Sequence, residues 1–121
     1  MSLLKTLGHA AIASMFIFGG ANAFNEPGGR VQKVEDAGIP QPRQATILNG
    51  AVMAVAGTTL AFGILPKLSA LALMGTLVPT TFVGHAFWSE ESQQARATQL
   101  TQFFKNAAMF GGLLLVLTEK D

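Results

Sequence analysis

The sequence predicts an all-α integral membrane protein, a four-helix bundle that forms one membrane domain over residues 1–121. Only 12% of its residues are charged and 50% are hydrophobic, whereas a soluble domain carries about 25% charged residues. Four stretches almost lack charge, and a spanning helix needs roughly 17 to 25 such residues. A lipid-facing surface therefore explains the composition. The spans are expected at residues 7–24, 45–65, 68–88 and 103–117.

The first apolar stretch has two interpretations. Lys5, the apolar run after it and Ala21-Asn22-Ala23 are typical of a signal peptide with its cleavage site. The Gly19-Gly20 pair, with Asn22, is instead typical of a packed helix end. We expect a retained transmembrane helix.

The three connections differ in composition. Residues 25–44 are polar and rich in Gly and Pro, and residues 30–37 can form a short interfacial helix. The second connection predicts a tight hairpin, because Gly63 can end one helix and Pro66 suits the first turn of the next. The third, residues 89–102, is polar and can extend either neighbouring helix beyond the membrane.

Pro79 interrupts the third predicted helix. It removes the backbone hydrogen bond to the Gly75 carbonyl and is expected to kink the helix. The hydroxyls of Thr80 and Thr81 can help to satisfy the freed groups. A packing kink and a ligand pocket both remain open as interpretations.

The two ends of the predicted bundle differ in polarity. Four antiparallel spans place both termini at one end, here called the termini end. The other, the loop-side end, holds the two long connections and most polar residues near the membrane. Intramembrane polar groups often mark function. The candidate ligand-binding residues are therefore Asn22, Asn49, His85, Trp88, Lys105 and Asn106.

Two of these candidates carry alternative roles. Lys105 lies just inside an apolar stretch, where it can pair with an acid or a ligand oxygen, or extend to the interface. His85 can bind a quinone carbonyl or relay protons. Beside Trp88 it is also typical of an interfacial belt. The aromatic residues at this end suit either a belt or a pocket wall: Phe24, Phe87, Trp88, Phe103 and Phe104.

Composition narrows the cofactors and partners. The absence of Cys excludes Cys-ligated metals and disulfides within the chain, and a net charge of +1 does not indicate a nucleic-acid partner. His9 and His85 are expected at opposite ends, roughly 20 Å apart at about 1.5 Å per residue, so one haem cannot use both. We expect no metal and no covalent cofactor; a quinone stays a candidate.

Three segments carry a family resemblance: FIFGGANAFNEPGGR, GTTLAFGILPKLSALAL and FFKNAAMFGGLLLV. In this order and spacing they resemble the DoxX family of small four-helix membrane proteins, most nearly its actinobacterial branch. The resemblance implies a multi-pass protein of the bacterial plasma membrane with both termini on one side. It also implies membrane-associated redox chemistry. Some members are subunits of a thiosulfate:quinone oxidoreductase, and others are associated with a membrane complex containing a superoxide dismutase and a sulfurtransferase.

The chain also departs from the family pattern. Many members carry an acidic residue in the second helix, whereas residues 45–65 contain none. No catalytic residue is therefore carried over. The leading hypothesis is a non-catalytic subunit that anchors a redox complex and is not an enzyme on its own. A quinone-reactive subunit and a small-solute or lipid carrier are the alternatives. Expected partners are the lipid bilayer, other subunits and further copies of the chain.

Overall fold

The computed structural model describes residues 2–120, and within them every regular element is helical. The all-α prediction is thus confirmed. Four long helices form a bundle, and one short helix lies in the first connection, where an interfacial helix was predicted. The helices are α1 (Leu3–Asn25), α2 (Gly28–Asp36), α3 (Pro42–Ala61), α4 (Pro66–Gly84) and α5 (Gln93–Leu117), with a 3-10 turn at Phe87–Ser89.

The helices do not begin and end where the apolar stretches do. Capping and helix propensity determine the helix ends, whereas hydropathy determines the apolar stretches. The Ser92 hydroxyl accepts a hydrogen bond from the Ala95 amide at 3.0 Å and starts α5 well before residue 103. The intervening segment, residues 93–102, is rich in Gln and Ala, which favour helix without being uniformly apolar. At the other boundary α4 ends at Gly84, and His85 leaves the helical region at φ −128° and ψ 47°.

The α3–α4 hairpin forms through the predicted residues. Gly63 has a positive φ of 70°, and the amides of Gly63 and Ile64 donate to the carbonyls of Leu60 and Thr59. This is the Schellman pattern that commonly ends a helix at glycine. Pro66 then opens α4 at its first position, where its missing N–H leaves no bond unmade.

Helices α1 and α3 approach each other most closely at two glycines. A Cβ atom on Gly20 would lie 2.6 Å from the Gly50 carbonyl oxygen, and one on Gly50 would lie 2.8 Å from the Gly20 oxygen. Two helical turns further along α3, a Cβ on Gly57 would lie 3.0 Å from the Ile17 side chain. Backbone contact of this kind needs small residues. Gly20 thus allows α1 to pack directly against α3.

Each long helix contributes one fully buried large side chain to the core: Phe16, Leu60, Leu73 and Leu113. The outer surface is also apolar, since Phe18, Val55 and Leu115 are each at least 65% exposed. An apolar surface on every side is expected where the solvent is lipid.

Three segments of the described chain are long and apolar enough to cross a bilayer: Leu3–Asn25, Pro66–Ser89 and Gln93–Leu117. The second predicted span, now α3, is not among these segments, and it carries Arg43, Gln44 and Asn49. It nevertheless packs directly against α1 and exposes Leu48 and Val55 outward. The chain is therefore a membrane protein with α3 as the fourth helix of its bundle.

Candidate functional site

The loop-side end is organised around the last two turns of α4. The amphipathic helix α2 contacts both α3 and α4, with Val31 and Val34 half-buried. Lys33 Nζ donates a hydrogen bond to the Gly84 carbonyl at 3.1 Å. A cation at this position also interacts favourably with the negative end of the α4 dipole. Lys33 therefore secures the first connection to the end of α4.

Asn49 joins α3 to α4. Its Nδ2 donates to Thr80 Oγ1 at 3.0 Å, and the Thr80 hydroxyl donates in turn to the Thr76 carbonyl at 2.8 Å. Asn49 Nδ2 also lies 3.6 Å from the sulfur of Met53. The predicted ligand residue Asn49 thus has its amide engaged inside the bundle.

Asn106 joins α5 to α4 in the same manner. Its Nδ2 donates to Thr81 Oγ1 at 3.0 Å, and the Thr81 hydroxyl donates to the Leu77 carbonyl at 2.7 Å. Both side chains are buried, with 4% of Asn106 and 8% of Thr81 exposed. The threonines of these two hydrogen-bond chains, Thr80 and Thr81, directly follow Pro79. They bond the carbonyls of Thr76 and Leu77, not the Gly75 carbonyl that the proline frees.

A cleft of about 250 Å³ runs between α4 and α5 beside the Asn106–Thr81 bond. Sites that enclose a small molecule usually measure about 300 to 1,000 Å³, so this cleft is small and partly open. Its two polar residues are Asn106 and Thr81, and they hydrogen-bond to each other. The lining is Leu77, Val78, Thr81, Phe82, Phe103, Asn106, Ala107 and Phe110.

An aromatic cluster covers the loop-side end of this cleft. Phe103 lies at its centre, with ring centroids 5.4 Å from Phe87, 5.8 Å from Phe82 and 6.1 Å from Trp88. Phe104 is next to Phe103 at 5.9 Å. Edge-to-face contacts at these distances are favourable for aromatic rings. The cluster takes in four of the five predicted aromatic residues, while Phe24 lies half-exposed on α1 outside it.

His85 and Lys105 lie near the cleft without lining it. His85 Nδ1 is 2.8 Å from Gln99 Oε1, so a proton on that nitrogen would donate to the amide oxygen. Lys105 is exposed and donates from Nζ to Gln102 Oε1 at 2.7 Å, not to Glu26, Glu90 or Glu91. Lys33 bonds the carbonyl of Gly84, the residue before His85, so three basic residues lie at this end.

The six candidate residues are thus only partly brought together. Asn106 and Trp88 belong to the cleft and its aromatic cover, and His85 and Lys105 lie beside them. Asn49 faces the α3–α4 contact instead. Asn22 is exposed on α1 and, within residues 2–120, has no side-chain hydrogen bond. Thr81 and Phe82 line the cleft without having been predicted as ligand residues, although Pro79 had drawn attention to Thr81.

A second polar contact lies at the termini end. His9 is 3% exposed, and its Nε2 lies 2.7 Å from Glu119 Oε1. Lys5 Nζ donates to the Lys120 carbonyl at 3.3 Å. These bonds connect the start of α1 with the segment after α5. His9 and His85 therefore bond different partners at opposite ends of the bundle.

The comparisons with known proteins place the chain in a family. Neither the curated proteins nor the solved structures include a match to it. The DoxX family model matches residues 5–86, which include nearly all of α1 and the whole of α2 to α4, with Asn22, Asn49 and His85. Trp88, Lys105 and Asn106 lie beyond the matched segment. Because the match covers more than half of the sequence, the predicted resemblance is confirmed: the chain belongs to the DoxX family.

Proposed function

We propose that this chain is a non-catalytic subunit that anchors a membrane-associated redox complex. The observation that supports the proposal is that two asparagine amides within the bundle form hydrogen bonds between helices. Asn49 and Asn106 are engaged by hydrogen bonds to Thr80 and Thr81, so these groups hold helices together instead of converging on an enclosed cavity. The redox association comes from the resemblance to the DoxX family.

A partner subunit would have a suitable surface at the loop-side end. Phe82, Trp88 and Phe104 are 54%, 51% and 62% exposed and lie within one aromatic cluster. Aromatic side chains are enriched at protein interfaces. The surface is continuous with α5, whose first turns are polar and begin at Ser92.

Purification in mild detergent tests this proposal. We expect a tagged chain to retain a partner protein that carries a flavin, haem or iron–sulfur absorption. A Trp88→Ala, Phe104→Ala double variant should lose it. Phe18→Ala combined with Phe62→Ala is the matched control, because both residues are more than 70% exposed and lie outside the cluster. A chain that always runs alone, or whose partner carries no redox cofactor, would contradict the proposal.

A quinone-reactive subunit is the second candidate, and the cleft between α4 and α5 is the observation that favours it. Phe82 and Phe103 line it beside the Asn106–Thr81 hydrogen bond, so a flat ring would lie against the two phenyl rings, and a quinone carbonyl would replace Thr81 Oγ1 as the acceptor of the Asn106 amide. In this role Asn106→Leu should slow quinone-linked electron transfer in membranes, as should His85→Ala and Lys105→Ala. Unchanged rates in all three variants would remove this candidate.

A further inference from the structure

Helix α1 has two seams of residues on opposite faces, each with alternating steps of four and three residues. The inner seam is buried in the bundle: His9, Ala13, Phe16, Gly20 and Ala23. The outer seam lies two residues further along at every position, and all of its members are exposed: Ala11, Met15, Phe18, Asn22 and Asn25. Two residues turn a helix by about 200°, so the outer seam faces away from the bundle.

The spacing of the outer seam suits a second helix. Alternating steps of four and three residues are the pattern by which two helices pack at a shallow left-handed angle, in water and in membranes. Helix α1 already uses that pattern once, since the inner-seam residue Gly20 meets the backbone of α3 at Gly50. The exposure of all five outer residues shows that the described chain does not cover this seam.

Asn22 distinguishes the outer seam from a surface that only faces lipid. Other exposed polar groups on the long helices bond their own helix: Ser14 donates to the Ala11 carbonyl and Thr58 to the Ala54 carbonyl, both at 2.7 Å. The Asn22 carboxamide has no side-chain hydrogen bond within residues 2–120, although it lies in the last turn of a segment able to span a bilayer. An unpaired carboxamide facing hydrocarbon costs free energy, and asparagine commonly finds its partner on a neighbouring transmembrane helix.

We propose that the outer seam is a homodimer interface, in which α1 packs against α1 of a second copy with Asn22 beside the twofold axis. Copies inserted with one topology are related by a twofold axis along the membrane normal, which places each seam residue against itself. A carboxamide both donates and accepts. Asn22 Nδ2 would therefore donate to Asn22 Oδ1 of the second copy and accept the reciprocal bond. This self-complementarity favours a second copy over an unrelated subunit.

The dimer seam and the surface assigned to a redox partner lie on different helices. The aromatic cluster is formed by α4, the 3-10 turn and α5, whereas the outer seam belongs to α1. The inference therefore does not depend on the proposed role in a redox complex.

Single cysteines test which surface meets a second copy, because the chain has none of its own. The purified full chain in proteoliposomes should form disulfide-linked dimers on oxidation when it carries Met15→Cys or Phe18→Cys. The matched controls are Val55→Cys on α3 and Leu115→Cys on α5, at positions 65% and 68% exposed, and they should stay largely monomeric. Equal yields at seam and control positions, or no dimer from either seam variant, would overturn the proposal.

Energy transfer between donor-labelled and acceptor-labelled copies in liposomes tests the role of Asn22. Asn22→Leu should weaken dimerisation roughly tenfold, the effect of losing two average interhelical hydrogen bonds. Asn22→Gln keeps a carboxamide and should weaken it by less than about threefold, since the reciprocal bonds can still form. Thr58→Val removes an exposed hydroxyl outside the seam and should have no effect. Trp88 fluorescence checks that each variant is folded.

Three results of these measurements would contradict a homodimer. The first is energy transfer in wild type no greater than random distribution of the copies gives. The second is an Asn22→Leu variant that dimerises like wild type, as expected if lipid headgroups or water satisfy the amide. The third, in native membranes, is a Phe18→Cys chain that crosslinks to a different protein instead of to itself.

Discussion

Asn106 Nδ2 donates a hydrogen bond to Thr81 Oγ1 at 3.0 Å, and one residue earlier Thr80 accepts the amide of Asn49 at the same distance. Neighbouring threonines on α4 thus bind two different helices, α5 through Thr81 and α3 through Thr80. Both follow Pro79, where the backbone ladder of α4 is interrupted. Polar contacts between helices therefore concentrate directly after the interruption that Pro79 makes in the hydrogen-bond ladder of α4.

Removal of the Thr81 hydroxyl should destabilise the bundle. Thr81→Val keeps the shape of the side chain and leaves the buried Asn106 amide without its acceptor. Interhelical hydrogen bonds in membranes contribute about 0.6 kcal/mol on average and at most about 1.7 kcal/mol. We expect a loss of about 1 kcal/mol in the free energy of unfolding, measured in mixed micelles by the fluorescence of Trp88, the single tryptophan.

The matched control for this experiment is Thr58→Val. Thr58 is exposed, and its hydroxyl donates only to the Ala54 carbonyl of its own helix at 2.7 Å. The control should change stability by less than half as much as Thr81→Val. Equal losses in the two variants would contradict a stabilising bond between α4 and α5.

Gly20→Ala should separate α1 from α3. The added Cβ would lie 2.6 Å from the Gly50 carbonyl and 2.7 Å from the Ala54 amide nitrogen, so backbone must move to admit it. Overpacking of this kind costs about 1 to 3 kcal/mol. Gly8→Ala makes the same change on the same helix with nothing within 4 Å of the new atom, and should be neutral or slightly stabilising. Thermal unfolding of both variants in one detergent makes the comparison.

Gln41→Gly should stabilise the chain, because Gln41 has a left-handed backbone conformation at φ 50° and ψ 59°. Glycine adopts this conformation without the cost of roughly 1 to 2 kcal/mol that a Cβ incurs. Part of that gain is offset by the greater freedom of glycine in the unfolded chain. A net gain of about 0.5 kcal/mol in unfolding free energy is expected. Gln44→Gly, in the helical first turn of α3, should give no gain.

Sequence alone identified the features that depend on local chemistry. Gly63 and Pro66 define the α3–α4 hairpin because one favours a positive φ and the other a first helical turn. The end of the third span and the start of the fourth were expected at residues 88 and 103, whereas α4 ends at Gly84 and α5 begins at Gln93. An apolar run indicates where lipid is tolerated, whereas Gly84 and the cap at Ser92 decide where the helix stops and starts.

The partners of the polar residues depend on tertiary structure and could not be read from the sequence. Thr80 and Thr81 were recognisable as residues near a kink, but the rotation of α4 decides which helix each one faces. His9 and Glu119 are 110 residues apart in the chain. Their contact requires the start of α1 and the end of α5 to meet, which no local pattern in either segment indicates.

The contact between His9 and Glu119 should contribute measurably to the free energy of unfolding of the bundle. His9 is almost fully buried, and its Nδ1 has no hydrogen-bond partner among the described residues. Nε2 bonds the Glu119 carboxylate at 2.7 Å, which accepts when ionised. Glu119→Ala would leave both ring nitrogens unsatisfied, at a cost of about 1 to 3 kcal/mol for a buried polar group. Glu119→Gln retains an acceptor oxygen and should lose less.

Unfolding free energies in mixed micelles, with carboxypeptidase digestion as a second measurement, check this prediction. Glu119→Ala should unfold more easily and release its C-terminal residues faster than wild type, because the described residues would then join that segment to α1 by the Lys5 bond to Lys120 alone. Glu91→Ala removes an exposed carboxylate at the loop-side end and should leave both measurements unchanged. If Glu119→Ala and Glu91→Ala behaved alike, the bond would not stabilise the closure of α1 on the end of α5.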